Sequence, residues 1–230
     1  FAPPGHLLAK VTMDFILSLW DFAQGRPDRV RDALVEHVIY VVTVVGAASV
    51  FSIALGVATR RSIFARELSL AVASLFLTIP SLALFTIFIP LVGLGFWPSF
   101  IALFFYAILP VLRNTVTGLE QVDPSVVESA RGMGLTSSQV LLRIQLPLAW
   151  PVILAGIRIA TMLTIGVAAI ATLVAGGGLG DFVKEGLARL PLPNSLESIW
   201  LGTLLCILLA FVIDLGLKAL KTATISRGIR

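Results

Sequence analysis

Side chains able to do covalent or metal chemistry are scarce in this sequence. Cys206 is the lone cysteine and sits in an apolar run, so no disulfide within the chain is available. The two histidines, His6 and His37, come with no cluster of ligands; each reads as a polar residue at an interface rather than as a metal ligand or part of a catalytic constellation. No Gly-x-x-x-x-Gly-Lys-Ser/Thr loop is present to cradle phosphates, nor an acidic site for a magnesium nucleotide. The chemistry left is non-covalent. Arg158 and Asp214 lie inside long apolar stretches, where an ionised group is costly unless paired or hydrated. Counted from the ends of their stretches, both fall at a depth of about 9 Å at 1.5 Å per helical residue. Their shared depth makes an ion pair the expectation, with separate snorkelling to the surface as the alternative.

The second chemical feature is a polar insert, Glu-Ser-Ala-Arg-Gly-Met-Gly-Leu-Thr-Ser-Ser-Gln-Val-Leu-Leu-Arg-Ile-Gln-Leu-Pro, from Glu128 to Pro147. Asp123 is a good N-cap and Pro124 suits a first helical position, where its missing N–H is not needed. A helix should run from there to about Arg131, a knob roughly 12 Å long. Gly132 and Gly134 stop it. Thr136 to Gln139 is a capping-box pattern that starts a second helix. Pro147 and Pro151 are expected to end that helix and reset the chain.

Composition sets the elements that must carry these features. Hydrophobic residues make up 57% of the 230, and charged ones 13%, against about 25% charged in a soluble chain; mean hydropathy is +0.99. This is an all-α membrane protein. A spanning helix needs about 20 apolar residues, and five are expected: Val38–Ala58, two within Leu68–Leu112 with a turn marked by Gly93, Gly95 and Pro98, Val152 to about Ala175, and Ile199 to about Leu220. Pro80, Pro90 and Pro110 should kink or break their helices. The domain division is residues 1–36 as an external or interfacial segment, 37–220 as the membrane domain with the polar loop at 120–151, and 221–230 as a tail. Residues 10–23 read as an amphipathic helix, Lys10, Asp14, Ser18 and Asp21 on one face and Val11, Phe15, Leu19 and Phe22 on another, either lying in the interface or forming a short extra helix packed on the spans. The chain opens on Phe1, without a signal peptide's short apolar core, and the expectation is that its true N-terminus is missing or processed.

Basic residues orient the spans. Arg60, Arg61 and Arg66, then Arg113, Arg131 and Arg143, then Lys218, Lys221, Arg227 and Arg230 share one side, expected to be the cytoplasm, with the N-terminus outside. Lys10, Arg26, Arg29 and Arg31 oppose this and are outvoted.

The insert resembles the coupling loop of ATP-binding-cassette importer permeases: Glu128, Ser129 and Ala130 match Glu-Ala-Ala with one small-for-small exchange, and Gly134, Ile144, Leu146 and Pro147 fall in register. Thr78–Ala83, Phe104–Thr115, Ala155–Ala160 and Ala175–Asp181 look like permeases for glycine betaine, carnitine, choline and related osmoprotectants, over about residues 37–217. Methionine importer permeases share the coupling loop and a Gly-Gly-Leu-Gly segment. The resemblance implies a type I importer in a bacterial cytoplasmic membrane: two permease subunits, identical or not, a cytoplasmic ATPase dimer that binds ATP and magnesium, and an external substrate-binding protein. This chain itself would then be non-catalytic, cofactor-free and without a nucleic-acid partner. Pro80, Tyr106, Pro110, Gly177 and Gly178 are candidates for lining the pathway or its gate. Between Leu68 and Leu119 no acidic residue occurs, while aromatic rings cluster at Phe96, Trp97, Phe104, Phe105 and Tyr106, which suits a quaternary ammonium cargo attracted by ring faces. A methionine or other amino-acid ABC importer permease is the first alternative; a secondary transporter, the remaining one, would ordinarily show more buried charges and an internal inverted repeat.

The orientation has a direct test. In a Cys206→Ser background, Ser62→Cys and Ser138→Cys should be shielded in intact cells from an impermeant thiol reagent, while Asn194→Cys reacts. Labelling at position 138 from outside would reverse the assignment.

Overall fold

The computed structural model describes residues 4–224, with side chains from Thr12 onward; His6, Lys10, Val11, Arg227 and Arg230 therefore lie outside the described side chains or residues. Helices α1 (Pro4–Gln24), α2 (Pro27–Thr59), α3 (Ile63–Thr78), α4 (Ser81–Val92) and α5 (Phe96–Glu120) come first. They are followed by α6 (Pro124–Gly132), α7 (Ser137–Val140), a π turn (Leu141–Gln145), α8 (Leu146–Ala171), a 3-10 turn (Thr172–Val174), α9 (Gly180–Ala188) and α10 (Ser195–Thr224). No strand occurs among the described residues. An all-helical chain is what an apolar surround demands, since each helix satisfies its own backbone.

Four helical runs are long and apolar enough to span on their own, namely α2, α5, Ser137–Val174 and α10, and the fifth expected span is broken. It consists of α3 and α4, bent 98° at Ile79-Pro80. The cause is local. Proline disfavours helical geometry in the residue before it, and Ile79 is extended at φ −76, ψ 130. Pro90 and Pro110, expected to kink or break their helices, lie inside α4 and α5, which run on through them. Pro98 marks no turn either: it sits in the first turn of α5, where no N–H is required.

A larger correction concerns α7 and α8. Pro147 and Pro151 do not end the second helix of the polar insert; it runs through the π turn into the fourth span as one helical rod. Leu146 N–H reaches back to the Leu141 carbonyl. This wide turn opens the ladder immediately before Pro147, which has no N–H to contribute, and so accommodates it. Two domain boundaries also dissolve into helices: position 36/37 falls inside α2, and α10 continues past 220 to Thr224.

α5 is the hub. More of its residues are buried than of any other helix, among them Leu103, Ala107, Val111 and Leu112 with no exposed area. It packs on α2 and most closely on α8, because Gly118 and Gly156 bring the two backbones together: a Cβ at Gly156 would stand 2.7 Å from the Pro110 carbonyl oxygen and 2.6 Å from Asn114 Cβ. α10, by contrast, exposes Leu204, Ile207, Leu208, Phe211 and Val212. On α1, Phe15 meets Trp200 of α10 edge-on at 6.3 Å, and Ser18 donates to Glu197 at 3.2 Å. Met13, Ile16, Leu17 and Trp20 are exposed, so its apolar surface wraps beyond the single face expected.

Gly156→Ala should therefore lower thermal stability in detergent by about 1–3 kcal/mol through overpacking. Gly166→Ala, with nothing within 4 Å of the added carbon, is the control. Equal melting temperatures for the two variants would show that the α5–α8 contact yields freely.

Candidate functional site

Glu128, Ser129, Ala130 and Gly134 stand on a rigid knob whose shape local chemistry dictates. Asp123 caps α6 by accepting the Ser125 backbone N–H at 2.8 Å. Ser125's side chain and then its backbone hold the Asp123 carboxyl below the usual carboxylate range. At the other end, Leu135 N–H bonds the Ala130 carbonyl at 3.2 Å and Gly134 N–H bonds Arg131 at 2.9 Å, with Gly134 left-handed at φ +85. That is a glycine-terminated helix end. No atom lies within 4 Å of a Cβ added at Gly134, so within this chain the position demands backbone geometry rather than small volume. The capping box forms as read: Thr136 N–H donates to Gln139 Oε1 at 2.8 Å and Gln139 N–H to Thr136 Oγ1 at 3.4 Å.

Ala130 is buried at 1% exposure, while Glu128, Ser129 and Gly134 are exposed. Val126, Met133 and Leu142 add an exposed apolar skin to the same tip. Ile144 and Leu146 are half-buried and Pro147 is exposed; beneath them Leu141 packs with Leu119, Ala149 and Ile153. The inner side of the segment is thus fixed to the bundle and the outer side is free for a groove in a partner.

At the opposite end, Gly177 (φ +76) and Gly178 (φ +87) form a turn pressed onto the start of the apolar part of α2. Gly178 N–H donates to Glu36 Oε2 at 2.9 Å, and a Cβ on Gly177 would lie 2.5 Å from that same oxygen. His37 is not interfacial as expected but buried at 1% exposure. Leu179 N–H donates to its Nδ1 at 3.3 Å, so the ring proton is on Nε2, which faces the Ile165 carbonyl at 3.1 Å. Sequence reading missed this Glu36–His37 tie. Its only trace was two polar side chains side by side at the mouth of an apolar run.

Beside the tie lies an open cavity of about 290 Å³ bounded by Glu36, Tyr40, Phe96, Gly176 and Gly177. The rings of Tyr40 and Phe96 stack at 4.8 Å. Gly177 reaches this cavity; Tyr106, Pro80 and Pro110 do not. Tyr106 is buried, and its hydroxyl donates to the Ile79 carbonyl, the acceptor exposed by the break at Pro80. The Pro110 carbonyl accepts from Asn114 Nδ2 at 2.8 Å.

Arg158 and Asp214 meet. Arg158 Nη2 donates to Asp214 Oδ2 at 3.0 Å and Nε donates to Oδ1, a two-pronged contact between α8 and α10. Lys218 Nζ reaches the same carboxylate at 2.8 Å. No cluster able to hold a metal ion occurs among the described residues.

Residues 48–225 match the family model of the binding-protein-dependent transport system inner membrane component. The chain belongs to that family. It is 38% identical over 200 residues to an osmoprotectant import permease protein of Salmonella typhimurium, covering 85% of this chain and 91% of that one. It is 37% identical over 195 residues to a glycine betaine/carnitine/choline transport system permease protein of Bacillus subtilis, covering 85% and 88%. The fold is similar to that in the inward-facing MetNI methionine ABC transporter, with a TM-score of 0.68 and 20% identity over 86% of this chain and 98% of that one. As an inner membrane component of a transport system, the chain has a helical architecture fit for its family: a spanning bundle with one solid knob protruding from it.

The ion pair is testable by a double-mutant cycle. Arg158→Ala and Asp214→Ala should each lower the melting temperature, and the double variant should lose less than the two losses combined. Strict additivity would show that the groups stabilise the bundle independently.

Proposed function

We propose that this chain is the membrane-spanning subunit of an ATP-driven importer for quaternary ammonium osmoprotectants of the glycine betaine, choline or carnitine type. The observation that carries the cargo is the identity of 36–38% to permeases named for those solutes, sustained across most of both chains. The stacked Tyr40 and Phe96 rings support it, since a fixed cation without hydrogen-bond donors is attracted by ring faces. Glu36 beside them already has one carboxylate oxygen engaged by Gly178 N–H. The likeness to the methionine transporter is one of fold and says nothing of cargo.

In this reading Pro124–Gly132 docks in a groove of a cytoplasmic ATPase, two ATPase subunits bind ATP and magnesium, and a second permease subunit completes the pathway. A substrate-binding protein delivers solute at the end that carries Gly177 and Glu36. The coupling segment then faces the cytoplasm and the membrane is a bacterial inner membrane. The chain itself moves solute and makes or breaks no covalent bond.

Transport in liposomes holding the assembled importer and its binding protein tests both cargo and coupling. Glycine betaine, choline or carnitine should enter in an ATP-dependent manner while methionine does not. Gly134→Val, which forces a β-branched residue to φ +85, should leave the complex assembled and cut uptake per ATP hydrolysed. Gly132→Ala, helical and with open space, should be neutral. Methionine uptake with no quaternary ammonium uptake would overturn the cargo, and normal coupling in Gly134→Val would overturn the role of the knob.

A further inference from the structure

At the end of the bundle that carries α6 and α7, a cavity of about 300 Å³ opens between the ends of α2 and α5, Arg66 of α3, and the wall formed by Arg131, Ser137, Val140 and Gln145; its rim bears Arg60, Arg61, Arg66 and Arg131. Opposing charge is sparse. Glu120 lines the cavity and pairs with Arg66, which also meets Glu67 at 3.3 Å. Arg60 donates to the Val57 carbonyl at 2.9 Å. Arg61 and Arg131 have no hydrogen-bond or ion-pair partner among the described residues. The floor is apolar, formed by Gly56, Val116 and Leu119.

A second cavity of about 300 Å³ lies between α2, α3 and α5 and is almost wholly apolar, lined by Phe51 and Leu55 of α2, Val72 and Phe76 of α3, and Phe105 and Ile108 of α5. It is displaced along α2 from Arg60 toward Leu55 and along α5 from Val116 toward Ile108, about 8–12 Å at 1.5 Å per residue. Its α3 wall, Leu68 and Val72, is exposed.

We propose that these two neighbouring cavities together bind an anionic phospholipid, with its phosphate among the arginines and an acyl chain in the apolar cavity. The pairing of the two cavities selects the ligand. A free phosphate or an acidic side chain of a partner protein would account for the arginines and leave the apolar cavity unexplained. A zwitterionic lipid would fill the apolar cavity while leaving the excess positive charge unmatched. Basic pockets between helices at a membrane interface attract anionic headgroups for this reason. The bound lipid bridges the ends of α2, α3 and α5 and touches Arg131 of the knob. The inference depends on the fold and the family and is independent of the cargo.

The test uses the assembled importer, delipidated in detergent and titrated with dioctanoyl phosphatidylglycerol, dioctanoyl phosphatidylcholine or inorganic phosphate, with binding read by tryptophan fluorescence. Phosphatidylglycerol should bind saturably, and neither of the others should bind or displace it. Arg61→Gln with Arg131→Gln should weaken that binding on the order of tenfold. Val72→Trp, which fills the apolar cavity from its exposed wall, should weaken it with every arginine in place. Equal binding of phosphatidylcholine, competition by inorganic phosphate, or unchanged affinity in both variants would overturn the proposal. So would loss of the ATPase subunit from the double variant with lipid binding intact, which would make the arginines a protein contact. The wild-type competition needs no variant to fold.

Discussion

Hydrocarbon leaves no backbone amide or carbonyl free to bond water, and that constraint governs where this chain is allowed to be irregular. Within helices the ladder meets it. At each break a named group intervenes. The bend between α3 and α4 exposes the Ile79 carbonyl, and the Tyr106 hydroxyl takes it. The glycine turn after α8 leaves the N–H groups of Gly178 and Leu179 pointing at α2, where Glu36 and His37 accept them. The irregular segments are therefore held in place and are not loose connections.

These partners come from the hub and from a helix packed against it. Tyr106 is on α5, and Glu36 and His37 are on α2, so the breaks are referred to the hub and to its neighbour. Close approach does the rest. Gly156 lets α8 lie against Pro110 and Asn114, and a bulkier residue would separate the surfaces that buried Leu112, Val111 and Ile153 require. α10 is held differently, by α9, α1 and the Arg158–Asp214 contact, and most of its apolar surface faces outward. That surface suits lipid or a neighbouring subunit.

Much of this was legible in the residues because it was local. The caps of α6 and α7 follow from Asp123, Pro124 and the Thr136–Gln139 box, and each forms as the residue types require. The charges at 158 and 214 were legible because apolar surroundings make any ionised group conspicuous. What was hidden depends on tertiary context. Pro80, Pro90 and Pro110 carry the same local penalty, yet only Pro80 breaks its span, and there the Tyr106 hydroxyl satisfies the carbonyl that the break exposes. Pro147 and Pro151 read as stops, yet the helix runs on through both, with the π turn accommodating Pro147. His37 read as interfacial because its partners, Ile165 and Leu179, are remote in sequence. The helix α9 escaped notice, being short and amphipathic between two apolar runs.

The continuity of α7 with α8 has a mechanical consequence. Were α6 and α7 joined to the span by a flexible turn, a force on α6 would be lost in the turn. Here α6 contacts α7 and the π turn, Ala130 is buried beneath it, and the rod from Ser137 runs without a coil to Val174. At the far end of that rod stands the glycine turn tied to Glu36 and His37. The knob and the opposite end are thus joined through one continuous helical rod, with the π turn as its one irregular turn.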